Sequence, residues 1–463
     1  MVGRQVIIVG AGPAGIRCAQ TVVAAGVRPI VIDESRRDGG QIYRRQPETF
    51  TRSYATLYGT EAPRAEAIHR SFEALRAQIE YMPETLAWNV AEGHLYTIHD
   101  GRETTLPFDA LVLCTGATDR LMPMKGWHLA GTYSLGGAQV ALKSQACSIG
   151  KRVTFVGTGA LLYLVAAQYV KAGAEVAAVL DTSPWSLRVA ALPKLLAAPA
   201  ALWNGVRLTR VLRRAGVPVF TGVEPLEIAG SADAGVNGLS FKDARGELCK
   251  LECDAVAMGY HLRPETQLAD LAGCEFRFDT HTRQWLPHAD ADGRGSVRGV
   301  YLAGDGARVL GANAAEMSGR IAALAVLQDL GVSPSGISES AAPLTRMHRA
   351  RAKLERFGQG LAQAFPWPAQ QAARLSDDTI VCRCESVSAG ELRKVVLQTG
   401  ASEANRAKAF SRVGMGRCQG RYCGHAAAEI IAEAANVPLE QVGRLRGQAP
   451  VKPLPIRITA KPP

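Results

Sequence analysis

The sequence has 463 residues, of which 47% are hydrophobic and 21% charged, and its mean hydropathy is zero. This composition excludes a disordered or fibrous chain and is typical of a globular protein with about three domains. The net charge of +11 would suit nucleic acid, but aromatic residues make up only 6%, so we expect a solvated basic surface and no nucleic-acid binding.

The first elements predict a cytoplasmic protein. The chain runs directly into the apolar segment Val6–Val9, and no secretory signal precedes it. The most hydrophobic stretch, 189–203, is interrupted by Pro193 and Pro199 and is too short for a membrane span. Cysteines stay reduced in the cytoplasm, so six scattered ones are expected as small core residues: Cys18, Cys114, Cys147, Cys249, Cys253 and Cys274.

Residues 5–33 predict the start of a dinucleotide-binding domain. Val6–Val9 is a continuous apolar run, which is typical of a parallel strand buried on both faces. A glycine turn over 10–15 and a helix over 16–25 follow, and 29–32 predict the second strand.

The turn has the glycine spacing that a bound dinucleotide requires. Gly10 permits a tight turn, Gly12 lets the backbone approach a pyrophosphate, and Gly15 lets the helix pack closely on the strand. The start of the helix then offers free N–H groups to the phosphates. An acid after the second strand binds a ribose, and Asp33 has the expected spacing, with Glu34 as the alternative. The predicted contacts of the turn are Gly10, Gly12, Pro13, Ala14 and Gly15.

Three later segments distinguish FAD from NAD in this domain. Gly39–Arg44 follows the second strand, Thr115–Gly116 ends a later strand, and Gly304–Asp305 ends the last one. The set resembles the two-dinucleotide-domain flavoproteins that include glutathione reductase and thioredoxin reductase. That resemblance implies FAD, with Asp305 at its ribityl chain and the helix near 312–315 pointing its N-terminus at the flavin ring. The further FAD contacts that it implies are Gly40, Gln41, Thr115, Gly116, Gly304 and Asp305.

The strand–turn–helix pattern returns at 151–181 with one departure. A strand over 152–156, a turn from Gly157 and a helix lead to Asp181, which would offer a second ribose partner. The third glycine position is Leu162 instead, which would hold the helix away from the strand and crowd a pyrophosphate. We expect a domain that keeps the fold without NAD(P)H, or one that holds another adenine nucleotide. No Cys-x-x-Cys lies near either domain, so dithiol chemistry is not expected.

The strongest pattern is a set of four cysteines near the C-terminus. Cys382 and Cys384 form a C-x-C pair, and Cys418 and Cys423 form a C-x-x-x-x-C pair after a gap of 33 residues. Four thiolates can hold a [2Fe–2S] cluster or a zinc ion, and the lack of C-x-x-C spacing favours the cluster.

The residues around the second cysteine pair fit a cluster. The segment 416–424 resembles the cluster domain of bacterioferritin-associated ferredoxin. Its glycines free N–H groups for sulfur, and Arg417 and Arg421 are expected to offset thiolate charge. His425 is not expected as a ligand, nor His261 as an acid or base, so no catalytic residue is predicted in this chain.

The segment 189–214 is apolar and then basic. A buried helical pair is one interpretation, and a docking face for a partner protein is the other. The second interpretation predicts that charges introduced at Ala191 and Leu195 weaken the complex.

The patterns predict an α/β fold with two dinucleotide-binding domains of the glutathione-reductase type and a small C-terminal [2Fe–2S] domain. The second domain interrupts the first. The predicted divisions are 1–148 and 259–330 for the FAD-binding domain, 149–258 for a second Rossmann-like domain, 331–375 for a helical linker, 376–440 for the [2Fe–2S] domain and 441–463 for an extended tail.

In this order, the motifs resemble the FAD-binding subunit of heteromeric amine and imino-acid dehydrogenases: opine (octopine or nopaline) oxidase, D-hydroxyproline dehydrogenase and hydrogen cyanide synthase. The resemblance rests on the turn at Gly10, the segment 39–44, the altered turn at Gly157, Gly304–Asp305 and the four cysteines. It implies an electron-transfer subunit with FAD and a [2Fe–2S] cluster. A partner subunit similar to D-amino-acid oxidase would oxidise the C–N bond of an opine, D-hydroxyproline or another secondary amine. Such assemblies can be completed by an FMN between subunits and by a small ferredoxin-like subunit.

Two other functions stay open on the sequence. One is a stand-alone NAD(P)H-dependent flavin and iron–sulfur reductase, which Leu162 opposes and which anaerobic mixing with NADH and NADPH would test. The other is a cluster-bearing redox sensor that binds nucleic acid, which the basic charge motivates and which requires salt-dependent DNA binding.

Overall fold

The computed structural model describes residues 4–333 and 344–455. Parts of the predicted linker, 331–375, and of the predicted tail, 441–463, lie outside these ranges. Among the described residues, no helix is both long enough and apolar enough to cross a bilayer.

In chain order, the strands are β1 (Val6–Val9), β2 (Ile30–Ile32), β3 (Glu80–Met82), β4 (Thr85–Ala91), β5 (His94–His99), β6 (Arg102–Pro107), β7 (Ala110–Leu113), β8 (Ala117–Asp119), β9 (Thr132–Ser134), β10 (Arg152–Thr158), β11 (Glu175–Asp181), β12 (Val219–Thr221), β13 (Glu224–Ser231), β14 (Gly235–Lys242), β15 (Leu248–Glu252), β16 (Ala255–Tyr260), β17 (Leu262–Pro264), β18 (Phe276–Asp279), β19 (Gln284–Pro287), β20 (Val300–Leu302), β21 (Ile380–Cys382) and β22 (Val387–Ser388).

The helices are α1 (Pro13–Ala24), α2 (Tyr54–Tyr58), α3 (Ala62–Leu75), α4 (Leu135–Ser144), α5 (Ala160–Lys171), α6 (Trp185–Leu195), α7 (Pro199–Arg214), α8 (Gln267–Leu271), α9 (Ala312–Asp329), α10 (Leu344–Ala364), α11 (Ala369–Ala373), α12 (Ala389–Thr399), α13 (Ala404–Ser411), α14 (Gly424–Ala435) and α15 (Leu439–Val442). Short 3-10 turns occupy Gly59–Glu61 and Gly304–Gly306.

The first sheet is parallel, with strand order β20-β7-β1-β2-β3. Its strands come from both sides of the second domain, and the predicted strands at β1, β7 and β20 are confirmed. The helices α1 and α9 pack on one another, where a Cβ at Gly319 would lie 2.1 Å from the carbonyl oxygen of Ala14. This backbone contact holds the first turn of α1 against the middle of α9.

The second sheet is also parallel, with order β12-β11-β10-β16-β9. Thr132 of β9 pairs with Val256 of β16, so residues 132–144 pack with this sheet although the predicted boundary lies at 148. The two parallel sheets confirm the fold class of a flavoprotein with two dinucleotide-binding domains.

The [2Fe–2S] domain is a small helical unit that begins at the hairpin β21–β22. Ser388 caps α12 through a capping box with Glu391, which fixes the chain direction after the first cysteine pair. The helices α12 and α14 enclose a core that includes Leu392, Val396 and Ile430, together with the buried Cys382.

The helix α10 lies against α6 and α9 and joins the domains. On α6, Ala191 and Leu195 are buried in a cluster with Ala364 of α10. Ala191 and Leu195 therefore face the interior of the chain, so charges at these two positions would disturb the packing of α6 on α10 and cannot test a docking face.

Candidate functional site

A cavity of about 1800 Å³ opens at the carboxyl ends of the first sheet, the edge at which open parallel sheets bind ligands. Its volume exceeds the roughly 300–1,000 Å³ of pockets for drug-sized ligands, so an extended dinucleotide fits. The predicted contacts that line it are Gly10, Gly12, Pro13, Ala14, Asp33, Glu34, Gly40, Gln41, Thr115, Gly116, Gly304 and Asp305.

Gly12 and Gly15 have different neighbours. A Cβ at Gly15 would lie 1.8 Å from the carbonyl oxygen of Gly10, so Gly15 permits the contact of α1 with the turn. A Cβ at Gly12 would meet only Gly40, 3.6 Å away. The start of α1 therefore faces an open cradle that fits a pyrophosphate and that a methyl group at position 12 would partly fill.

Asp33 and Glu34 both follow β2, but their carboxylates have different partners and different exposure to solvent. The Asp33 carboxylate accepts N–H bonds from Ala11 (2.6 Å) and Ser35 (2.6 Å), so it orders the turn. Burial raises the pKa of Asp33, and these N–H groups counteract the rise. Glu34 is exposed at the cavity and pairs with Lys452. Of the two acids, Glu34 presents the more accessible carboxylate to a ribose.

Asp305 lies in the 3-10 turn after β20. Its Oδ1 accepts the N–H groups of Leu310 (2.9 Å) and Gly311 (3.0 Å). Burial raises the pKa of Asp305, and these two bonds oppose the rise. The helix α9 begins directly afterwards, with Ala312 and Ala315 at the cavity wall. The first turn of α9 therefore faces the cavity.

Four further lining residues come from the C-terminal part of the chain, and the sequence analysis missed them. Arg421 and Tyr422 lie between the second pair of cysteines, and Val451 and Lys452 lie after α15. No local pattern marks these residues, because their place depends on how the [2Fe–2S] domain packs on the FAD-binding domain.

The second glycine turn is covered by side chains. A Cβ at Gly159, which corresponds to Gly12, would lie 3.0 Å from Nδ1 of His261. The Nε2 atom of His261 donates to the carbonyl of Phe365, whose ring lies 6.3 Å from that of Tyr163, centroid to centroid. The chain that follows α10 thus lies across the position where a pyrophosphate would approach.

Asp181 is fully buried and both of its carboxylate oxygens are engaged. Oδ1 accepts from the hydroxyl of Thr158 (2.9 Å) and the N–H of Ser183 (2.8 Å). Oδ2 accepts from the hydroxyl of Tyr163 (2.8 Å) and from Arg188 (2.6 Å). The expectation that Asp181 offers a ribose partner is therefore wrong, because its charge is balanced by Arg188 inside the domain.

The four predicted cysteines lie together in the [2Fe–2S] domain. Their thiols contact each other in a chain from Cys382 to Cys423, from Cys423 to Cys418 and from Cys418 to Cys384. In the described part of the chain, no three His, Cys, Asp or Glu side chains are grouped around a position for one metal ion. Hydrogen bonds from the Cys423 thiol lower the pKa of Cys418 to about 5 and that of Cys382 to about 6.

Backbone N–H groups point at these sulfurs. Gly414 donates to Cys382, and Gly420 and Tyr422 donate to Cys418. Such donors stabilise thiolates and cluster sulfur. This donor set fits a [2Fe–2S] cluster, which would be held by the four cysteines and would accept one electron at a time.

The two arginines of the segment 416–424, called the cluster loop below, do not lie as predicted. Arg417 is exposed, and Arg421 is buried with its guanidinium on the carboxylate of Glu265, at 2.7 and 3.2 Å. Burial alone would raise the pKa of Glu265, but Arg263 and Arg421 bring it below its ordinary value. The charge of Arg421 is therefore balanced by Glu265, and backbone N–H groups stabilise the sulfurs.

None of the ten cysteines forms a disulfide. Of the six scattered ones, Cys18, Cys114, Cys253 and Cys274 are buried, as predicted for core residues. The prediction is wrong for Cys147, which is exposed, and Cys249 is only half-buried.

Comparisons with known proteins agree with this arrangement. Residues 4–323 match a family described as pyridine nucleotide-disulphide oxidoreductase, and residues 380–433 match a BFD-like [2Fe-2S] binding domain. A subunit of opine oxidase from Rhizobium meliloti is 36% identical, with 97% of this chain and 86% of the relative covered. The HcnB subunit of hydrogen cyanide synthase from Pseudomonas aeruginosa is 30% identical, with 97% of each chain covered.

Solved structures support the fold. The L-proline dehydrogenase of P. horikoshii superposes with a TM-score of 0.69 at 18% identity, over 98% of this chain and 79% of the other. The thioredoxin reductase of T. acidophilum gives a TM-score of 0.52 at 19% identity, over 71% of this chain and 99% of the other. Both share the arrangement of two dinucleotide-binding domains that the sheets show.

Proposed function

The chain belongs to the pyridine nucleotide-disulphide oxidoreductase family, beside subunits of opine oxidase and the HcnB subunits of hydrogen cyanide synthase, and on that premise we propose that it takes electrons from a partner that oxidises a C–N bond. It is an electron-transfer subunit with FAD and a [2Fe–2S] cluster. The proposed substrate is an opine, D-hydroxyproline or another secondary amine. The proposed cytoplasmic assembly adds a catalytic subunit similar to D-amino-acid oxidase and a small ferredoxin-like subunit.

One observation carries this proposal. The loop between Cys418 and Cys423 forms part of the wall of the FAD cavity through Arg421 and Tyr422. A flavin accepts a pair of electrons, whereas an iron–sulfur cluster takes one at a time. Two such sites side by side suit a subunit that converts pair transfer into single-electron steps and that needs no acid or base of its own.

The covered second turn argues against the alternative, a stand-alone NAD(P)H-dependent reductase. His261 covers Gly159, and Asp181 is engaged by four neighbouring residues. Both nicotinamide dinucleotides need the open glycine, and NADH also needs the free acid. The electrons are therefore proposed to come from a protein partner.

Anaerobic mixing tests this choice of electron donor. The purified chain should contain FAD, iron and acid-labile sulfide, and its flavin absorbance should not change on addition of NADH or NADPH. In a complex with a co-expressed catalytic subunit similar to D-amino-acid oxidase, the flavin should bleach on addition of the secondary amine. Rapid bleaching by NADH or NADPH alone would replace the proposal with the reductase alternative.

The exposed side of α6 and α7 is the proposed docking surface for the catalytic subunit. Large apolar side chains are exposed to solvent there. Three arginines on α7 line the adjoining part of the FAD cavity. Within the described residues these arginines form no ion pair, so the surface suits a partner face that is apolar with an acidic rim. The residues are Trp185, Val189, Leu192, Leu196 and Trp203, with Arg207, Arg210 and Arg214.

Charge substitutions test this surface. Leu192→Glu with Leu196→Glu should abolish co-purification of the co-expressed catalytic subunit, because both side chains are exposed, at 41% and 60%. Leu397→Glu is the matched control, since Leu397 is 72% exposed on α12 of the [2Fe–2S] domain. Retention of the partner by the double variant would assign docking to another face.

A further inference from the structure

The FAD cavity and the cluster loop are joined by one residue of the FAD-binding domain, Glu265. Its backbone N–H donates to the carbonyl of Gly116 (2.9 Å), and its carbonyl accepts the hydroxyl of Thr115 (2.6 Å). Both neighbours line the cavity, as does Glu265 itself. The backbone of Glu265 is therefore fixed to the cavity wall.

The side chain of Glu265 extends from this wall to Arg421 of the cluster loop. The guanidinium donates to both carboxylate oxygens, at 2.7 and 3.2 Å, and the side chains of Arg421 and Glu265 are 7% and 14% exposed. A bidentate pair of this kind fixes orientation as well as distance. Removing either side chain of this ion pair would leave the other charge unpaired and largely buried.

The same guanidinium reaches the backbone on its other side. Nη1 of Arg421 donates to the carbonyl of Cys418 (3.4 Å) and to that of Val451 (2.7 Å). One side chain thus connects the cavity wall, a predicted cluster ligand and the segment after α15. Tyr422, the next residue, faces the same cavity.

We propose that Arg421 and Glu265 are positioning residues that hold the cluster against the flavin, so that electrons pass from one to the other within this chain. The inference rests on the proposed function. When bound in the cavity, a reduced flavin would supply two electrons and release its protons to solvent. The cluster that Cys382, Cys384, Cys418 and Cys423 would hold would take these electrons one at a time and pass each of them to a one-electron acceptor, for which ferricyanide is the probe.

The test uses the full-length holoprotein under anaerobic conditions. The flavin is reduced by light with EDTA as donor, and the electron paramagnetic resonance signal of the reduced cluster is followed in samples frozen at set times. Glu265→Gln removes the ion pair from outside the loop, and Arg421→Lys keeps the charge but loses the bidentate geometry. Arg417→Gln is the matched control, because it removes an exposed charge from the same loop.

In the Glu265→Gln and Arg421→Lys variants, the cluster should become reduced about tenfold more slowly than in wild type. A loss of this size is expected when the cluster is displaced from the flavin by the order of 1 Å. Arg417→Gln should match wild type. Unbound flavin is removed beforehand and the rates are normalised to the fraction of molecules that hold both centres, so partial cofactor loss does not hide the result. Rates within about threefold of wild type in both variants would overturn the inference. No cluster reduction in the wild type would instead overturn the proposed function.

Discussion

The first glycine turn separates two effects of adding a methyl group. Gly15→Ala would place a Cβ 1.8 Å from the Gly10 carbonyl oxygen, whereas Gly12→Ala would extend only into the cradle. We expect Gly15→Ala to lower the free energy of unfolding of the FAD-free protein by roughly 3 kcal/mol and to prevent FAD binding. Gly12→Ala should leave that free energy nearly unchanged and weaken FAD binding by at least about tenfold.

Denaturant unfolding and FAD fluorescence titration measure the two effects. Gly205→Ala is the control, because a Cβ at Gly205 in α7 meets nothing within 4 Å and should stabilise the helix by about 1 kcal/mol. If Gly12→Ala bound FAD as tightly as wild type, the pyrophosphate would have to lie elsewhere in the cavity.

Single residues also show the limit of sequence reasoning at this scale. The spacing after β2 identifies Asp33 and Glu34 as candidates but cannot separate their roles, because both follow the same strand. Only the hydrogen bonds from Ala11 and Ser35 show that Asp33 orders the turn. Likewise, a basic residue beside cysteines predicts charge compensation, whereas Arg421 pairs with a glutamate 156 positions away in the sequence.

At the scale of elements, the segment after α10 covers the second turn. Phe365 accepts a hydrogen bond from His261, and Trp367 is buried with its ring 3.9 Å from the guanidinium carbon of Arg120. Leu162 alone is the basis on which the sequence predicts that this domain keeps its fold without NAD(P)H. It could not predict the covering segment, because residues about 200 positions further along the chain supply it.

The contact of His261 with Phe365 should be sensitive to acid. Burial lowers the pKa of His261 from its ordinary value of 6.5, and Arg120 lowers it further, while the Phe365 carbonyl and Asp181 oppose the change. The unfolded chain therefore binds the proton more readily, and the stability of the contact falls as the pH falls below 6.5, by up to about 1 kcal/mol per pH unit. At higher pH this contribution is fully present.

Amide hydrogen exchange of the peptide 357–367, corrected for intrinsic rates, measures this effect. Protection should decrease between pH 7.5 and pH 5.5 in the wild type. It should stay constant in His261→Asn, because asparagine tolerates the positive φ of 64° at this position and does not titrate in this range. An equal decrease in both proteins would show that another group causes the change.

At the scale of the whole molecule, ion pairs attach both the [2Fe–2S] domain and the segment after α15 to the FAD-binding domain. Asp270 of α8 accepts from Arg444 at 2.6 and 2.8 Å and from Arg446 at 3.0 Å. Arg283 donates to Glu429 of α14 at 3.0 and 2.7 Å. These contacts bring Val451 and Lys452 to the cavity, so the two cofactor sites share one wall.

The sequence predicted both cofactor domains but not this shared wall. Glycine spacing and cysteine spacing are local, since each cofactor is held largely by one short segment. The wall depends on side chains from distant parts of the chain, such as Asp270 and Arg444, which are 174 positions apart, and no local pattern in the sequence pairs them. Their arrangement becomes visible only when the domains are packed together.

Because the two cofactor sites share one wall, we predict that loss of the cluster weakens the binding of FAD. Cys384→Ser removes a predicted cluster ligand without altering the loop from 418 to 423. Without the cluster, the loop that carries Arg421 and Tyr422 loses its fixed ends and the cavity opens there. A ligand that binds the ordered state stabilises it, so the coupling should appear as several-fold faster FAD release.

The release is followed by the rise of free FAD fluorescence after dilution, with iron content measured on the same samples. Cys249→Ser is the control, because it changes a half-buried cysteine of β15, outside the cavity wall. Thermodynamic reciprocity adds a second expectation, that removing FAD from the wild type makes the cluster more accessible to an iron chelator. Equal FAD release from iron-free Cys384→Ser and wild type would mean that the loop keeps its place without the cluster, held by Glu265 alone.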